Sequence, residues 1–203
     1  MIKNIIFDLG NVLINFKPLD YVCTQIADYR RANEVYQSIF KSPEWLMLDR
    51  GIVTEKEAIN AICERTSDLN KQIRLVMTDW YHMLTPMEDV LDIVKELKSV
   101  GHKIYFLSNY QLLAYEHVRS VYSVFNYFDG GVFSFEEKSL KPEPEIYEKL
   151  IKRYAIEPHE SIFIDDTKDN VESASIIGFN AILFTSSIKL REELRKYNVL
   201  KIS

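Results

Sequence analysis

The sequence contains only two cysteines, and it has neither a run of basic residues nor a long apolar segment. Cys23 and Cys63 lie on separate predicted helices without metal-ligand spacing, so we expect both to be reduced core thiols. The formal net charge of −5 argues against sequence-independent nucleic-acid binding, which needs a basic surface. The lack of a basic run likewise argues against a membrane surface as a partner.

No segment approaches the roughly 20 apolar residues of a membrane-spanning helix. Asp8 interrupts an amino-terminal apolar stretch that is already too short for a signal peptide. We therefore expect a cytoplasmic, soluble protein, either a monomer or a homodimer. With 203 residues, of which 47% are hydrophobic, the chain can form one domain, or one domain with an insertion, around an ordinary core.

The beginning of the chain predicts a buried strand that ends at a carboxylate. Ile5, Ile6 and Phe7 form an unbroken apolar run, which is typical of a strand covered on both faces. Asp8 follows directly, and Gly10 favours a turn. In open α/β sheets, ligands bind outside the carboxyl ends of the strands. Asp8 by itself could equally cap the turn, so its interpretation depends on the later stretches.

A helical insertion is predicted after this strand, because residues 16–86 show helical spacing of apolar side chains and no convincing strand. Capping residues predict three helix starts, at Thr54 with Glu57, at Ser67 or Asp68, and at Thr85 with Pro86 and Glu88. We expect this insertion to be a cap domain, residues 16–86, over a core of residues 1–15 and 87–203. In the cap, Trp45, Asp49 and Arg50 are candidates for substrate contact. The alternatives are a core tryptophan and a solvated charged pair.

Beyond the insertion, predicted strands alternate with helices. The strands are 103–107, 131–133, 161–164 and 181–184, and the helices between them are 111–122, 145–154 and 170–177. This alternation predicts an α/β fold with a parallel sheet and right-handed crossovers.

Three of the buried strands end on small or acidic polar residues, which are Asp8, Ser108 with Asn109, and Asp165 with Asp166. Parallel strands bring these ends to one edge of the sheet. Three adjacent carboxylates repel one another unless a cation joins them, and an all-oxygen set suits Mg²⁺. Asp165 and Asp166 could instead cap the next helix, although two acids after an apolar strand favour a metal site.

Lys141 precedes a rigid Pro-Glu-Pro entry into a helix. It is either a solvated surface lysine or a point charge that binds phosphate. Ser108 offers a hydroxyl, and the backbone N–H of Asn109 opens toward the next helix, where an anion can bind.

Four stretches in this order resemble the motifs of the haloacid dehalogenase superfamily: Phe7-Asp8-Leu9-Gly10-Asn11-Val12, Leu107-Ser108-Asn109, Lys141-Pro142-Glu143-Pro144-Glu145-Ile146-Tyr147 and Phe163-Ile164-Asp165-Asp166. The insertion is similar to the type 1 cap, and the first motif is similar to that of the α-D-glucose-1-phosphate phosphatase-like subgroup. The resemblance implies a Rossmann-like sheet of strand order 3-2-1-4-5 with helices on both faces. It also implies an Mg²⁺-dependent phosphatase that forms an aspartyl-phosphate, acting on a small phosphorylated metabolite such as a sugar 1-phosphate.

The resemblance also implies roles for individual residues. Asp8 would be the nucleophile, assisted by Ser108 and Lys141. The implied phosphate-binding set is Leu9, Gly10, Ser108, Asn109 and Lys141, and the implied metal ligands are Asp8, the Gly10 carbonyl, Asp165 and Asp166.

Gly10 departs from the pattern, because most phosphatases of the superfamily carry a second Asp there, which protonates the leaving oxygen and then activates water. Loss of a general acid typically costs ~10²–10⁴-fold in rate. The enzyme could favour leaving groups that need little protonation, or recruit water or a cap side chain. Alternatives are a weakly active or non-catalytic phosphometabolite-binding protein, and a 2-haloacid dehalogenase, against which the retained Asp165 and Asp166 argue. The long insertion argues against a receiver domain.

Overall fold

A five-stranded parallel sheet forms the centre of the computed structural model, which describes residues 1–200. The strands of the chain are β1 (Asn4–Phe7), β2 (Ile14–Asn15), β3 (Thr85–Pro86), β4 (Lys103–Ser108), β5 (Gly130–Phe133), β6 (Ser161–Asp165) and β7 (Asn180–Leu183). The large sheet has the order β5-β4-β1-β6-β7, and all its neighbouring strands are parallel. Counting these five strands alone gives 3-2-1-4-5, which confirms the predicted fold class.

The central strand β1 explains why the polar strand ends meet. Its register places Phe7 beside Phe106 on one side and Ile164 on the other. Asp8 follows Phe7, and its backbone N–H donates to the Ile164 carbonyl. The acids at the end of β6 and the polar end of β4 therefore lie at the same edge of the sheet.

Helices cover both faces of the sheet. The chain forms helices α1 to α5 in the insertion between β2 and β3. The helices that follow β3 are α6 (Glu88–Ser99), α7 (Leu112–Val121), α8 (Ser134–Glu137), α9 (Pro144–Tyr154), α10 (Lys168–Ile177) and α11 (Ser187–Lys196). Successive side chains of a strand point to opposite faces. Ile5 and Phe7 accordingly pack in one buried cluster, and Ile6 packs in another with Tyr147 of α9.

The insertion is helical between β2 and β3. It contains α1 (Pro18–Gln25), α2 (Tyr29–Phe40), α3 (Pro43–Asp49), α4 (Glu55–Arg65) and α5 (Asn70–Thr78), with short 3-10 turns at Ser67–Leu69 and Trp80–Met83. The predicted capping box of Thr54 and Glu57 is confirmed at the start of α4. Within residues 1–200, no helix is both long and apolar enough to cross a membrane.

Two predicted helix starts are wrong, and tertiary contacts explain both. Thr85 does not cap a helix, because Thr85–Pro86 is strand β3, which pairs antiparallel with β2, and α6 begins only at Glu88. The helix after α4 begins at Asn70 without a side-chain cap. Asp68 is instead held by Arg31, which donates to both its carboxylate and its carbonyl.

Candidate active site

A buried charge cluster lies at the carboxyl edge of the sheet. Oδ1 of Asp8 accepts a hydrogen bond from the Ser108 hydroxyl at 2.7 Å and lies 2.7 Å from Nζ of Lys141. The same Nζ lies 2.6 Å from Oδ2 of Asp165. Lys141 is only 4% exposed, so the alternative of a solvated surface lysine is wrong.

The pKa values of this cluster reflect burial and mutual charge. Burial raises the pKa of Asp8 to about 7; Lys141 and Ser108 oppose the rise, and Asp165 adds to it. Burial lowers the pKa of Lys141, but Asp8 and Asp165 outweigh this effect and raise it overall. The pKa of Asp166 is also raised, chiefly by burial and then by Asp165. The positive charge of Lys141 therefore does not fully compensate the negative charge of the ionised carboxylates.

The three acids form an oxygen-rich set that a hard divalent cation fits. Asp8, Asp165 and Asp166 each present a carboxylate oxygen within 4.8 Å of the others. Three ionised carboxylates and the one ammonium of Lys141 sum to a formal charge of −2. Mg²⁺ prefers oxygen ligands and would neutralise this charge.

Asp165 and Asp166 differ in how much of this capacity is free. Both oxygens of Asp165 accept protein hydrogen bonds, from Lys141, from the Thr167 backbone N–H and from the Asn170 amide. Asp166 is partly exposed and accepts a longer bond of 3.3 Å from the Thr167 hydroxyl. Asp166 is the more available ligand.

The turn after β1 is built around Leu9, Gly10 and Asn11. Leu9 is fully buried, and its carbonyl accepts hydrogen bonds from the backbone of Leu13 and Ile14. Asn11 has a φ of +54°, in the left-handed region that asparagine tolerates better than most residues. Its side-chain oxygen accepts from the Phe16 backbone. Sequence reasoning assigned no role to Asn11, although an asparagine after Gly10 is a typical turn signal.

The side chain of Asn109 holds the backbone of Lys141 in place. Its amide donates to the Lys141 carbonyl at 3.0 Å, and its oxygen accepts from the Lys141 backbone N–H at 2.8 Å. These paired bonds hold the lysine backbone beside the end of β4. Sequence reasoning considered only the backbone N–H of Asn109 and missed this contact, because the two residues are far apart in the chain.

A small cavity of about 70 Å³ adjoins Gly10 and is lined by residues of both the insertion and the sheet edge. Most of its wall is apolar and comes from Ile14, Phe16, Trp45, Trp80, Leu84 and Ala114. Its polar members are Asp49, Asn109, Tyr110 and Gln111. Trp45 is both a cavity residue and a core residue, since its ring lies 4.6 Å from that of Phe40.

The three candidates from the insertion have different positions. Asp49 ends α3 at the cavity, where Nε2 of Gln111 donates to its Oδ1 at 3.0 Å. Burial raises the pKa of Asp49 to about 7, against the opposing effect of the Gln111 hydrogen bond. Arg50 is not among the cavity residues and forms a two-nitrogen ion pair with Glu143. Gln111 and Tyr110 were not singled out from the sequence, which carries no motif for either.

The sequence of this chain is similar to those of known phosphatases. Over 96% of this chain, it is 26% identical to a sesquiterpene phosphatase of Aspergillus oryzae, covering 95% of that protein. It is also 26% identical to D-ribitol-5-phosphate phosphatase of Bacteroides thetaiotaomicron, with 96% of this chain and 97% of the relative covered.

Solved structures agree with the sequence relatives. A HAD family enzyme of Bacteroides thetaiotaomicron, solved with magnesium and inorganic phosphate, has a TM-score of 0.72 and 27% identity. The superposition covers 91% of this chain and 95% of that enzyme. The sequence model of the haloacid dehalogenase-like hydrolases matches residues 2–178. The chain therefore belongs to the haloacid dehalogenase-like hydrolase family.

Proposed function

We propose that this chain is an Mg²⁺-dependent phosphomonoester hydrolase whose Asp8 becomes transiently phosphorylated. The observation that carries the proposal is the position of the Asp8 carboxylate. Its Oδ1 accepts a hydrogen bond from Ser108 and forms an ion pair with Lys141. Among residues 1–200, no hydrogen bond to Oδ2 of Asp8 is formed, which leaves that oxygen able to attack phosphorus. A carboxylate nucleophile divides hydrolysis into two easier displacements.

The neighbouring polar groups suit a phosphoryl ligand. Ser108 and Lys141 are proposed to turn from Asp8 to the phosphoryl oxygens when substrate enters. The backbone of Leu9, Gly10 and Asn109 completes the proposed phosphate-binding set. Since phosphoryl transfer depends chiefly on positioning and charge stabilisation, the Asn109 clamp on the Lys141 backbone is part of the proposal.

Asp8, Asp166 and the Gly10 carbonyl are the proposed metal ligands. Asp165 belongs to the same carboxylate set, but its accepted hydrogen bonds suit it better to orienting Lys141. Bound Mg²⁺ would offset the charge of the phosphate beside three carboxylates. The related Bacteroides enzyme, solved with magnesium and inorganic phosphate, supports Mg²⁺ as the cation.

The insertion is proposed to act as a cap, with the domain boundaries expected from the sequence. The end of α3 contributes Asp49 to the small cavity, and the next residue, Arg50, pairs with Glu143 of the core.

Two substrate classes fit different features of the site. A sugar 1-phosphate is the first, because its anomeric oxygen needs less protonation than the oxygen of an ordinary alcohol and the cavity offers polar partners in Asp49, Asn109 and Gln111. An ester of a mainly apolar alcohol is the second, because most of the cavity wall is apolar. A second cavity of about 370 Å³ shares Gln111 with the first and has apolar walls from Ile52, Leu112 and other residues. The sesquiterpene phosphatase relative also favours this class.

The test is phosphate release from sugar phosphates, aryl phosphates and isoprenoid monophosphates, with Mg²⁺ and with EDTA. Asp8→Asn is expected to keep less than about a tenth of the turnover, since the covalent route needs its carboxylate. Asp169→Asn is the matched control, because Asp169 is an exposed acid in the first turn of α10.

Acid quenching during turnover should trap one phosphoryl group on the unmodified protein and none on Asp8→Asn, as read by mass spectrometry. Turnover by Asp8→Asn close to that of the unmodified protein would contradict the covalent mechanism. Binding of Mg²⁺ and phosphate without hydrolysis of any ester would favour the non-catalytic alternative, which Gly10 supports.

A further inference from the structure

Position 10 of the chain is a glycine, which has no side chain that could give a proton to the leaving group. A Cβ added to Gly10 would meet no atom within 4 Å, so the space beside the reacting groups is open. A phosphatase that cleaves esters of ordinary alcohols needs a proton for the leaving oxygen. The donor, if the chain provides one, has to reach this space from another element.

We propose that Asp49 of the insertion is the general acid and base of the reaction, and that it replaces the carboxyl group missing at Gly10. This inference rests on the proposed function. Asp49 lines the same cavity of about 70 Å³ as Gly10 and Asn109, which lie just beyond the polar ends of β1 and β4.

The surrounding contacts orient Asp49 toward this role. Its backbone carbonyl accepts from the Ser134 hydroxyl, which fixes the end of α3 against the core. Oδ1 accepts from Gln111, while Oδ2 receives no hydrogen bond from residues 1–200. One oxygen is therefore held by the protein and the other is available to a ligand. Gln111 is a positioning residue in this arrangement.

A second observation indicates that the cavity receives a polar ligand. Tyr110 lines the same cavity, and its hydroxyl is buried without a hydrogen-bond partner within the described chain. Buried polar groups in proteins are rarely left without a partner. A substrate oxygen in the cavity would give Tyr110 a partner.

The electrostatic surroundings suit proton transfer near neutral pH. Burial raises the pKa of Asp49 to about 7, where donation and later acceptance of a proton are both accessible. The charged groups on the neighbouring elements form hydrogen bonds with other residues. Arg50 pairs with Glu143, and Glu55 accepts from Trp80 and Tyr81. Lys138 donates to the carbonyls of Gly51 and Phe135. Tyr110 stays neutral, because burial and Asp8 raise its pKa.

The proton balance closes over two steps. Asp8 forms a bond to phosphorus while the bond from phosphorus to the leaving oxygen breaks, and the leaving oxygen takes the proton of Asp49. Water then attacks the aspartyl-phosphate, Asp49 accepts the proton of that water, and phosphate leaves Asp8. Asp49 ends the cycle protonated, as it began.

The test compares Asp49→Asn with the unmodified protein on two esters. Phenyl phosphate needs leaving-group protonation, whereas 2,4-dinitrophenyl phosphate does not. We expect kcat/KM to fall ~10²-fold or more for the first ester and less than about threefold for the second. The unmodified protein should show a shallow dependence of rate on leaving-group pKa, and Asp49→Asn a steep one. Asp79→Asn, an exposed acid of the insertion, is the control.

Two further measurements separate a catalytic role from a structural one. The alkaline fall in kcat/KM for phenyl phosphate should lie near pH 7 and be absent in Asp49→Asn. Introducing Gly10→Asp into Asp49→Asn should restore at least about tenfold on phenyl phosphate, because it places a carboxyl in the open space beside Gly10.

An equal loss on both esters, or no loss on phenyl phosphate, would overturn the role of Asp49 and leave the proposed function standing. Failure of the unmodified protein to hydrolyse either ester would instead remove the proposed function, and this inference with it.

Discussion

Lys141→Met should destabilise the metal-free protein strongly, although it replaces a charged side chain with an apolar one of similar length. Nζ of Lys141 is the buried countercharge of both Asp8 and Asp165, at 2.7 Å and 2.6 Å. Methionine would leave two carboxylates close together without it. Asp8→Asn removes one of those carboxylates instead and keeps the pair of Lys141 with Asp165.

The magnitudes of the two changes should therefore differ. Removing one partner of a buried ion pair costs about 3–5 kcal/mol. For a domain of this size, 1 kcal/mol corresponds to roughly 2–4 °C, so Lys141→Met should lower Tm by roughly 6–20 °C. Asp8→Asn should change stability by about 1 kcal/mol or less, because burial already disfavours the charged form of Asp8. Lys149→Met should cost about 0–1 kcal/mol, because the Lys149 side chain is largely exposed and its partner Glu137 keeps an ion pair with Arg153.

The assay is thermal unfolding followed by circular dichroism at pH 8 in EDTA. The raised pKa of Asp8 means that the folded state binds a proton more tightly than the unfolded state. The loss in Lys141→Met should accordingly grow as the pH rises through about 7 and shrink below it. Mg²⁺ at 100 times the Kd of a given form should stabilise that form by about 2.7 kcal/mol, so the comparison of the two proteins is made without metal.

Two results would refute this reasoning. One is a Tm of Lys141→Met within the range of the Lys149→Met control. The other is a decrease in the Tm of Asp8→Asn as large as that of Lys141→Met. It would mean that the Asp8 carboxylate stabilises the fold instead of destabilising it.

Two other predictions concern the metal site and the contact between the insertion and the core. Asp166→Ala should weaken Mg²⁺ binding by at least about tenfold in calorimetry, because a carboxylate is a strong ligand for a hard cation. Thr167→Ala should weaken it much less. Equal effects of the two changes would show that Asp166 is not a metal ligand. Arg50→Met should be destabilising near pH 6, and the difference from the unmodified protein should fade as the pH drops from about 4.5 to about 2. The ion pair with Arg50 is the main reason that the pKa of Glu143 is lowered to about 2, so the stability it contributes is lost as Glu143 gains a proton. The measurement is urea unfolding, and a difference independent of pH over this range would contradict the ion pair as its cause.

The placement of the reactive edge followed from local patterns. Ile5, Ile6 and Phe7 could be assigned to a buried strand because an unbroken apolar run has few other stable uses, and the convergence of Asp8, Ser108 and Asp165 follows from parallel pairing. The cap at Thr54 was predictable for a similar reason, since both of its hydrogen bonds lie within four residues.

Predictions failed where a distant segment competed for the same groups. Thr85 has the signature of a helix cap, but its backbone pairs with β2 on the other side of the insertion. Asp68 has the signature of a cap as well, and Arg31 of α2 takes its oxygens instead. A side-chain cap contributes only about 0.5–2 kcal/mol, so such tertiary contacts override it.

The sequence by itself determined the α/β fold class, the helical insertion and which acids end the strands, because these depend on periodicity and on the geometry of parallel strands. The strand order was expected only from the resemblance of the four motifs to a known superfamily. Only the tertiary structure decided that Lys141 is buried between two carboxylates and that Asn109 clamps its backbone. The same holds for Asp49, which meets Gln111 from 62 residues away at the cavity beside Gly10. A side chain's burial, partners and pKa depend on atoms that only folding brings together, and no local pattern encodes them.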